Sequence, residues 1–196
     1  EYELDACLRE IWRRHGSPRH AYPPIVGSGP NATVLHYRAG QRRIKEGELV
    51  LVDAGCEYDY YACDVTRTFP ASGTFSEPQR QIYEIVQAAH QAELEHAKVG
   101  SNIEVMHQAG IRAVVDGLLQ LGLLSGDAAE IIEKETFKRF FMHRSSHWLG
   151  MDVHDVGAYF VAGEPRPLAP GMVFTVEPGI YISAKDTEVP EAFRGI

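Results

Sequence analysis

Three histidines fall within one short run of this chain, FMHRSSHWLGMDVHDVG: His143, His147 and His154. Imidazoles at this density serve as metal ligands, as proton carriers near neutral pH, or as hydrogen-bonding structural residues. His143 and His147 are four apart, which on a helix would put them on one face, as in HExxH zinc sites. No Glu follows His143, however, and RSSHW carries no strong helix signal. Carboxylates widen the set. Asp53 follows the apolar run Leu49 to Val52, and Asp64 lies inside the next β-rich stretch, YYACDVTRTF. A hairpin turning at Tyr58-Asp59 would set Asp53 directly opposite Asp64, with Cβ atoms roughly 4.5–5.5 Å apart. Like charges so placed destabilise a ladder unless something positive sits between them. Two divalent cations about 3.5–4 Å apart, sharing a carboxylate, would meet that need. Glu177 closes the run VFTV before Pro178. A carboxylate at the end of a buried strand is rarely left unpaired.

Each residue also has a plainer reading. Asp53 could cap a turn before Ala54-Gly55, and Asp64 could pair with Arg67. Tyr58-Asp59 is not a favoured hairpin dipeptide. Glu177 could be a surface residue of a Pro-Gly turn. A lone histidine is more often a satisfied core or surface residue than a ligand. Three within one short run, beside two facing aspartates and a strand-end glutamate, weaken those readings. An oxygen-rich site with one imidazole suits Mn²⁺, Co²⁺, Fe²⁺ or Zn²⁺. Only one histidine need bind metal, and the others can hydrogen-bond an oxyanion or relay protons.

The elements that must position these residues are legible in outline. A first helix carries Leu4, Cys7, Leu8, Ile11 and Trp12 on one face and ends at Gly16, a good C′ residue. A Pro/Gly-rich passage leads to a buried strand at Leu49 to Val52, and a second strand is expected in YYACDVTRTF, ended by Pro70. Ser76 with Pro78 in the first turn opens a helix whose buried face is Ile82, Ile85, Val86 and Ala89, closed by Gly100. Ser101 to Glu104, SNIE, is a capping-box pattern that opens a helix through Val105, Ala109, Ala113 and Leu118 to Gly122. A shorter helix is expected over Asp127 to Lys134. Strand-like pieces return in the histidine run and in GMVFTVEPGIYI. Strands, then helices, then strands suggest an α+β fold.

Composition bounds the partners. The chain has 196 residues, 44% hydrophobic and 23% charged, which suits one globular domain. A formal net charge of −8 argues against nucleic acid. The basic runs RRH (Arg13 to His15) and QRR (Gln41 to Arg43) read as solvated faces. No apolar run reaches the ~20 residues of a membrane span, so no membrane partner is expected. Three cysteines without a CxxC spacing suggest reduced thiols and a cytoplasmic setting. The helical pattern already under way at the first residues, without an initiator Met, and the ending EVPEAFRGI lead us to expect a fragment of a longer protein.

Four blocks in order, LVDAG, DVTRTFP, MHRSSHWLGMDVHDVG and TVEPGIY, resemble the catalytic domain of proline-specific metalloaminopeptidases. The nearest likeness is to the bacterial Xaa-Pro aminopeptidase (aminopeptidase P) family. Its pita-bread fold is shared with prolidase, creatinase and methionine aminopeptidase. The likeness covers nearly the whole chain. It implies that residues 1–196 form one catalytic domain, lacking an N-terminal domain and the last catalytic strands. It also implies a dinuclear metal site, usually Mn²⁺, with Asp53, Asp64, His147 and Glu177 as ligands and Asp64 bridging. Glu177 would double as a general base toward the bridging hydroxide. His143 and His154 match non-ligand catalytic histidines, and His36, in ATVLHY, matches a substrate-binding one.

The implied reaction is hydrolysis of the N-terminal Xaa-Pro bond of peptides by a metal-activated hydroxide, in a parent protein that is a homo-oligomer. The family's last bridging glutamate falls beyond Ile196. Asp53, Asp64 and Glu177 supply −3 against +4 from two dications. The chain alone is therefore expected to bind metal poorly and to be weak or inactive. Prolidase is the rival enzyme, and a non-catalytic pita-bread binding module the rival from another class. Retention of the metal ligands argues against the latter. A family-free reading is an α+β domain with a buried polar network.

Overall fold

The computed structural model describes residues 1–38 and 40–196, which divide into two compact units. The first comprises Glu1–Arg80, Leu149–Asp155 and Tyr181–Ile196, and the second Gln81–Trp148 and Val156–Ile180.

The first unit begins with α1 (Tyr2–Arg14), followed by Gly16 at φ 90°, the left-handed residue expected after a helix end. None of α1 is fully buried. The short strand β1 (Arg19–His20) and β2 (Ile25–Ser28) come next, the latter buried throughout. β3 (Leu49–Ala54) lies between β2 and β6 (Val65–Pro70), antiparallel to both. Val26 and Val50 form its dry centre, at 0% and 1% exposure. β4 (Cys56–Tyr58) and β5 (Tyr61–Ala62) extend the β3–β6 ribbon into a hairpin, with β1 on the other side of β4.

The ribbon's register differs from the sequence expectation. The turn is Asp59-Tyr60, not Tyr58-Asp59, and both residues have positive φ, 47° and 72°. That is the backbone twist two-residue hairpins favour. Asp53 consequently faces Thr66 and Ala54 faces Val65. The same register, carried between Ala54↔Val65 and Glu57↔Ala62, places Gly55 opposite Asp64. Asp53 and Asp64 are thus diagonal rather than opposed. The correction is two residues, and side chains alternate with period two, so the carboxylates keep a common face. The strand predicted across YYACDVTRTF is split at Cys63-Asp64, and Pro70 is its last residue rather than its terminator. Arg42, expected on a solvated face, instead donates to the Ser28 hydroxyl at 2.9 Å and pairs with Glu48.

In the second unit, α2 (Glu77–His96, its first turn in the first unit) and α3 (Ile103–Gln120) touch through glycines. A Cβ on Gly117 would sit 2.6 Å from Ile85, and one on Gly110 would meet Glu93. The α3 stripe Ile103, Met106, His107, Gly110, Ile111, Val114, Val115 and Leu118 is buried, at helical spacing. Asn102, not Ser101, caps α3, its Oδ1 accepting the Val105 N–H at 2.9 Å. α4 (Ala128–Glu133) is capped by Asp127, close to expectation. The small hairpin β7 (Phe160–Val161) and β8 (Glu164–Pro165) follows. The histidine run and the VFTVE segment are extended and antiparallel without a full ladder. They meet in a single bridge, Trp148↔Phe174, flanked by Thr175 N–H to His147 O at 2.9 Å and Glu177 N–H to Ser145 O at 2.8 Å. Beneath them Ile103, Met106, Trp148 and Leu168 form a cluster with Phe174 and Val176 packed against it.

Gly55 is the tightest point of the ribbon: a Cβ there would stand 1.6 Å from the Cys63 carbonyl oxygen. Gly55→Ala must therefore force the strands apart. We expect it to destabilise the chain by roughly 1–3 kcal/mol or more, read as a lower urea midpoint. An unchanged midpoint would show that the close approach is not required.

Candidate metal centre

In the first unit, Asp53 at the end of β3 and Asp64 between β5 and β6 are half-buried. Both converge on a residue the sequence reading passed over. Tyr22 Oη lies 2.5 Å from Asp53 Oδ1 and 2.8 Å from Asp64 Oδ1. Burial, reinforced by the hydrogen bond and charge of Asp53 and then by Asp64, pushes the Tyr22 phenol far above its ordinary value. It therefore stays a donor. A phenol has one proton to give, so the two carboxylates converge on one donor. The only hint of Tyr22 in sequence was an aromatic with a polar tip beside prolines, which is too common to single out.

In the second unit the pairing described above brings His147 and Glu177 together, with His147 Nε2 2.9 Å from Glu177 Oε1. His147 Nδ1 lies 2.9 Å from the Trp148 carbonyl oxygen. A carbonyl only accepts, so Nδ1 carries a proton and Nε2 is the nitrogen that faces Glu177. Nε2 and a carboxylate oxygen at that distance hold a proton or a metal ion between them. Thr175 completes the arrangement: its hydroxyl accepts the His147 N–H at 3.0 Å and donates to Glu177 Oε1 at 2.9 Å. Each unit thus presents hard oxygen donors close together, and the second adds an oriented imidazole. This chemistry fits a divalent cation.

The remaining histidines are placed as follows. His143 is half-buried in the second unit, edge-on to Phe141, with Nδ1 2.9 Å from the Arg144 carbonyl. It lines a cavity of about 320 Å³ together with His107, Glu104 and Arg144. His154 and His36 are exposed residues of the first unit, His36 in a left-handed conformation at φ 54°.

Two buried polar residues of the second unit escaped the sequence reading. Glu93 is fully buried. Burial drives its carboxyl up to about 8; the Ser145 hydroxyl pulls the other way, and the Glu177 charge adds to the rise. His107 Nδ1 lies 2.9 Å from Ser145 Oγ. Burial, then the Arg144 charge, pushes its imidazole down to about 4. A signal for both existed: Glu93 continues the spacing of Ile82, Val86 and Ala89, and His107 that of Ile103 and Ile111, so each is a polar residue on an apolar stripe.

Comparison with known proteins agrees with this chemistry. The profile of metallopeptidase family M24 matches residues 1–196. The Xaa-Pro aminopeptidase of Escherichia coli is 48% identical over 198 residues, covering 100% of this chain and 44% of the relative. That of Haemophilus influenzae is 46% identical, covering 100% of this chain and 45% of the relative. The structure of Pseudomonas aeruginosa aminopeptidase PepP matches with a TM-score of 0.98 at 51% identity, covering 100% of this chain and 44% of that one. The α+β pita-bread fold is therefore shared. The chain spans less than half the length of the curated relatives it matches.

Glu93 and His107 give stability opposite dependences on pH. Glu93 binds its proton more tightly folded than unfolded, so stability is full below the ordinary 4.5, falls as pH rises and is lost by about 8. His107 resists protonation when folded, so its contribution is full above 6.5 and is lost as pH falls toward about 4. Above pH 6.5 only the Glu93 effect remains. In metal-free protein, Glu93→Gln should abolish a decline of roughly 1.4 kcal/mol per pH unit over that window. Denaturant unfolding at pH 6.5, 7.25 and 8 measures it; parallel curves for both proteins would refute a buried, protonated Glu93.

Proposed function

The chain belongs to metallopeptidase family M24, and from that premise we propose that the protein is a proline-specific metalloaminopeptidase, which removes the N-terminal residue of a peptide whose second residue is proline. One observation carries the reading. Identity near 48% to an Xaa-Pro aminopeptidase runs the length of the chain, and that chain keeps Asp53 beside Asp64 and His147 beside Glu177.

In this reading Asp53, Asp64, His147 and Glu177 are metal ligands. His147 binds through Nε2, the nitrogen that faces Glu177. When bound, two divalent ions, Mn²⁺ foremost with Co²⁺, Fe²⁺ or Zn²⁺ as substitutes, would polarise the scissile carbonyl and make water a competent nucleophile near neutral pH. Glu177 takes the proton that the attacking water gives up. Thr175 holds one oxygen of that carboxylate by hydrogen bond, fixing its orientation. A bond to proline has no N–H, so its nitrogen must receive a proton on leaving. His143 and His154 serve that transfer and hydrogen-bond the oxyanion, and His36 contacts the bound peptide. Retention of all these donors argues against a non-catalytic binding module. The same reading makes the protein cytoplasmic, in keeping with three free cysteines, and a homo-oligomer.

Turnover of Xaa-Pro-Xaa tripeptides by the longer parent protein tests the proposal, since residues 1–196 alone are expected to be weak or inactive. We expect hydrolysis that a chelator abolishes and Mn²⁺ restores, with kcat/KM falling at least about 100-fold in His147→Ala and Asp64→Asn. Cleavage confined to Xaa-Pro dipeptides would instead identify a prolidase, and turnover indifferent to chelator would sink the metal reading.

A further inference from the structure

The β3–β6 ribbon has a second face that the metal reading does not use. The register that sets Gly55 opposite Asp64 sets Cys56 opposite Cys63, and the Cys63 N–H donates to the Cys56 carbonyl at 2.9 Å. Directly opposed antiparallel residues have Cα atoms about 4.5–5.5 Å apart, inside the range of about 4.4–6.8 Å that a disulfide spans. Their Cβ atoms, roughly 4.5–5.5 Å apart when directly opposed, need to approach by about 0.7–1.7 Å to reach the ~3.8 Å of a disulfide. Both thiols are free. They alternate with Asp53 and Asp64 along the strands, so they point to the other face, beside the opposed pair Tyr58 and Tyr61. That face is open: Tyr58 is 57% exposed, Tyr61 64% and Val65 43%. Cys63 is exposed and Cys56 half-buried.

We propose that Cys56 and Cys63 are a thiol–disulfide exchange site, converted by low-molecular-weight disulfides of the glutathione type into a cross-strand disulfide. Exposure assigns the roles. The Cys63 thiolate attacks one sulfur of the small disulfide, breaking its S–S bond; one thiolate leaves and a mixed disulfide forms on Cys63. Cys56, directly opposite, then attacks the Cys63 sulfur and expels the second small thiolate. The two protein thiols lose two electrons and two protons in all, and the small disulfide is reduced to two thiols. The bond ties β4 to the residue preceding Asp64 while leaving the carboxylate face clear. Cys7, in α1, has no such opposed partner in the sheet. The inference is independent of the peptidase reading.

Reduced protein incubated with oxidised glutathione, acid-quenched, alkylated and mapped by mass spectrometry tests the site. The expected product joins Cys56 to Cys63 in excess over glutathione adducts at either, is reversed by dithiothreitol, and is replaced in Cys56→Ser by a stable adduct on Cys63. The same reaction in urea should scramble the pairing to include Cys7, showing that the fold directs it. Glutathione adducts on Cys56 and Cys63 without an internal bond, or both thiols left unmodified while Cys7 reacts, would overturn the proposal.

Discussion

Asp53 and Asp64 converge on the single phenolic proton of Tyr22, and the ribbon of the first unit is arranged around that close pair of carboxylates. Like charges on one face of an antiparallel ribbon cost stability. The register here softens the cost by setting the two residues diagonally, with Thr66 opposite one and Gly55 opposite the other. Gly55 does more than avoid a side chain. Its backbone approaches the Cys63 carbonyl so closely that any Cβ would push Asp64 away from Asp53. Tyr22, held protonated by burial and by the aspartates themselves, donates between them. The geometry that sets two like charges on one face also sets two hard oxygen donors side by side.

The second unit meets the same demand by a different route. The antiparallel contact between the histidine run and the VFTVE segment fixes His147 and Glu177 through backbone bonds at Ser145 and His147, while the Thr175 hydroxyl links the His147 backbone N–H to the Glu177 carboxylate. Ser145 also receives the His107 ring from α3, so the helix pair and the extended pair share one residue. Glu93 sits nearby in an apolar setting opened by the missing Cβ of Gly110. A carboxyl there is tolerated because it keeps its proton, and each charge on Glu177 reinforces that preference.

What the sequence disclosed, and what it withheld, divides along physical lines. Periodicity and end signals located α1, α2 and α4 closely, because those depend on neighbours within a turn. The donors Asp53, Asp64, His147 and Glu177 were legible because carboxylates following apolar runs are anomalous wherever the strands pair. Pairing itself was not legible. Asp59-Tyr60 adopts left-handed angles that no preference for tyrosine would suggest, and the ribbon accepts them because its twist requires them. Asn102 displaced Ser101 as the α3 cap because only its side chain reaches the Val105 amide. Tyr22 was invisible, since its role exists only after two distant aspartates have been brought to it. Glu93 and His107 were visible in principle, as polar residues on apolar stripes.

The ribbon's two faces follow from one alternation, and this makes register the decisive variable. A slip of one residue would turn Cys56 and Cys63 toward Tyr22 and carry Asp53 and Asp64 into solvent. A slip of two, the difference between the expected turn and the observed one, changes the partners but keeps the faces. Two features forbid the harmful slip. The left-handed pair at Asp59-Tyr60 fixes the turn at one end, and the close approach at Gly55 admits no side-chain-bearing residue in its place. Between them the strand has one arrangement, with hard oxygen donors on one side and soft sulfur on the other. The ordering of donors by hardness is thus set by backbone geometry before any metal or oxidant is present.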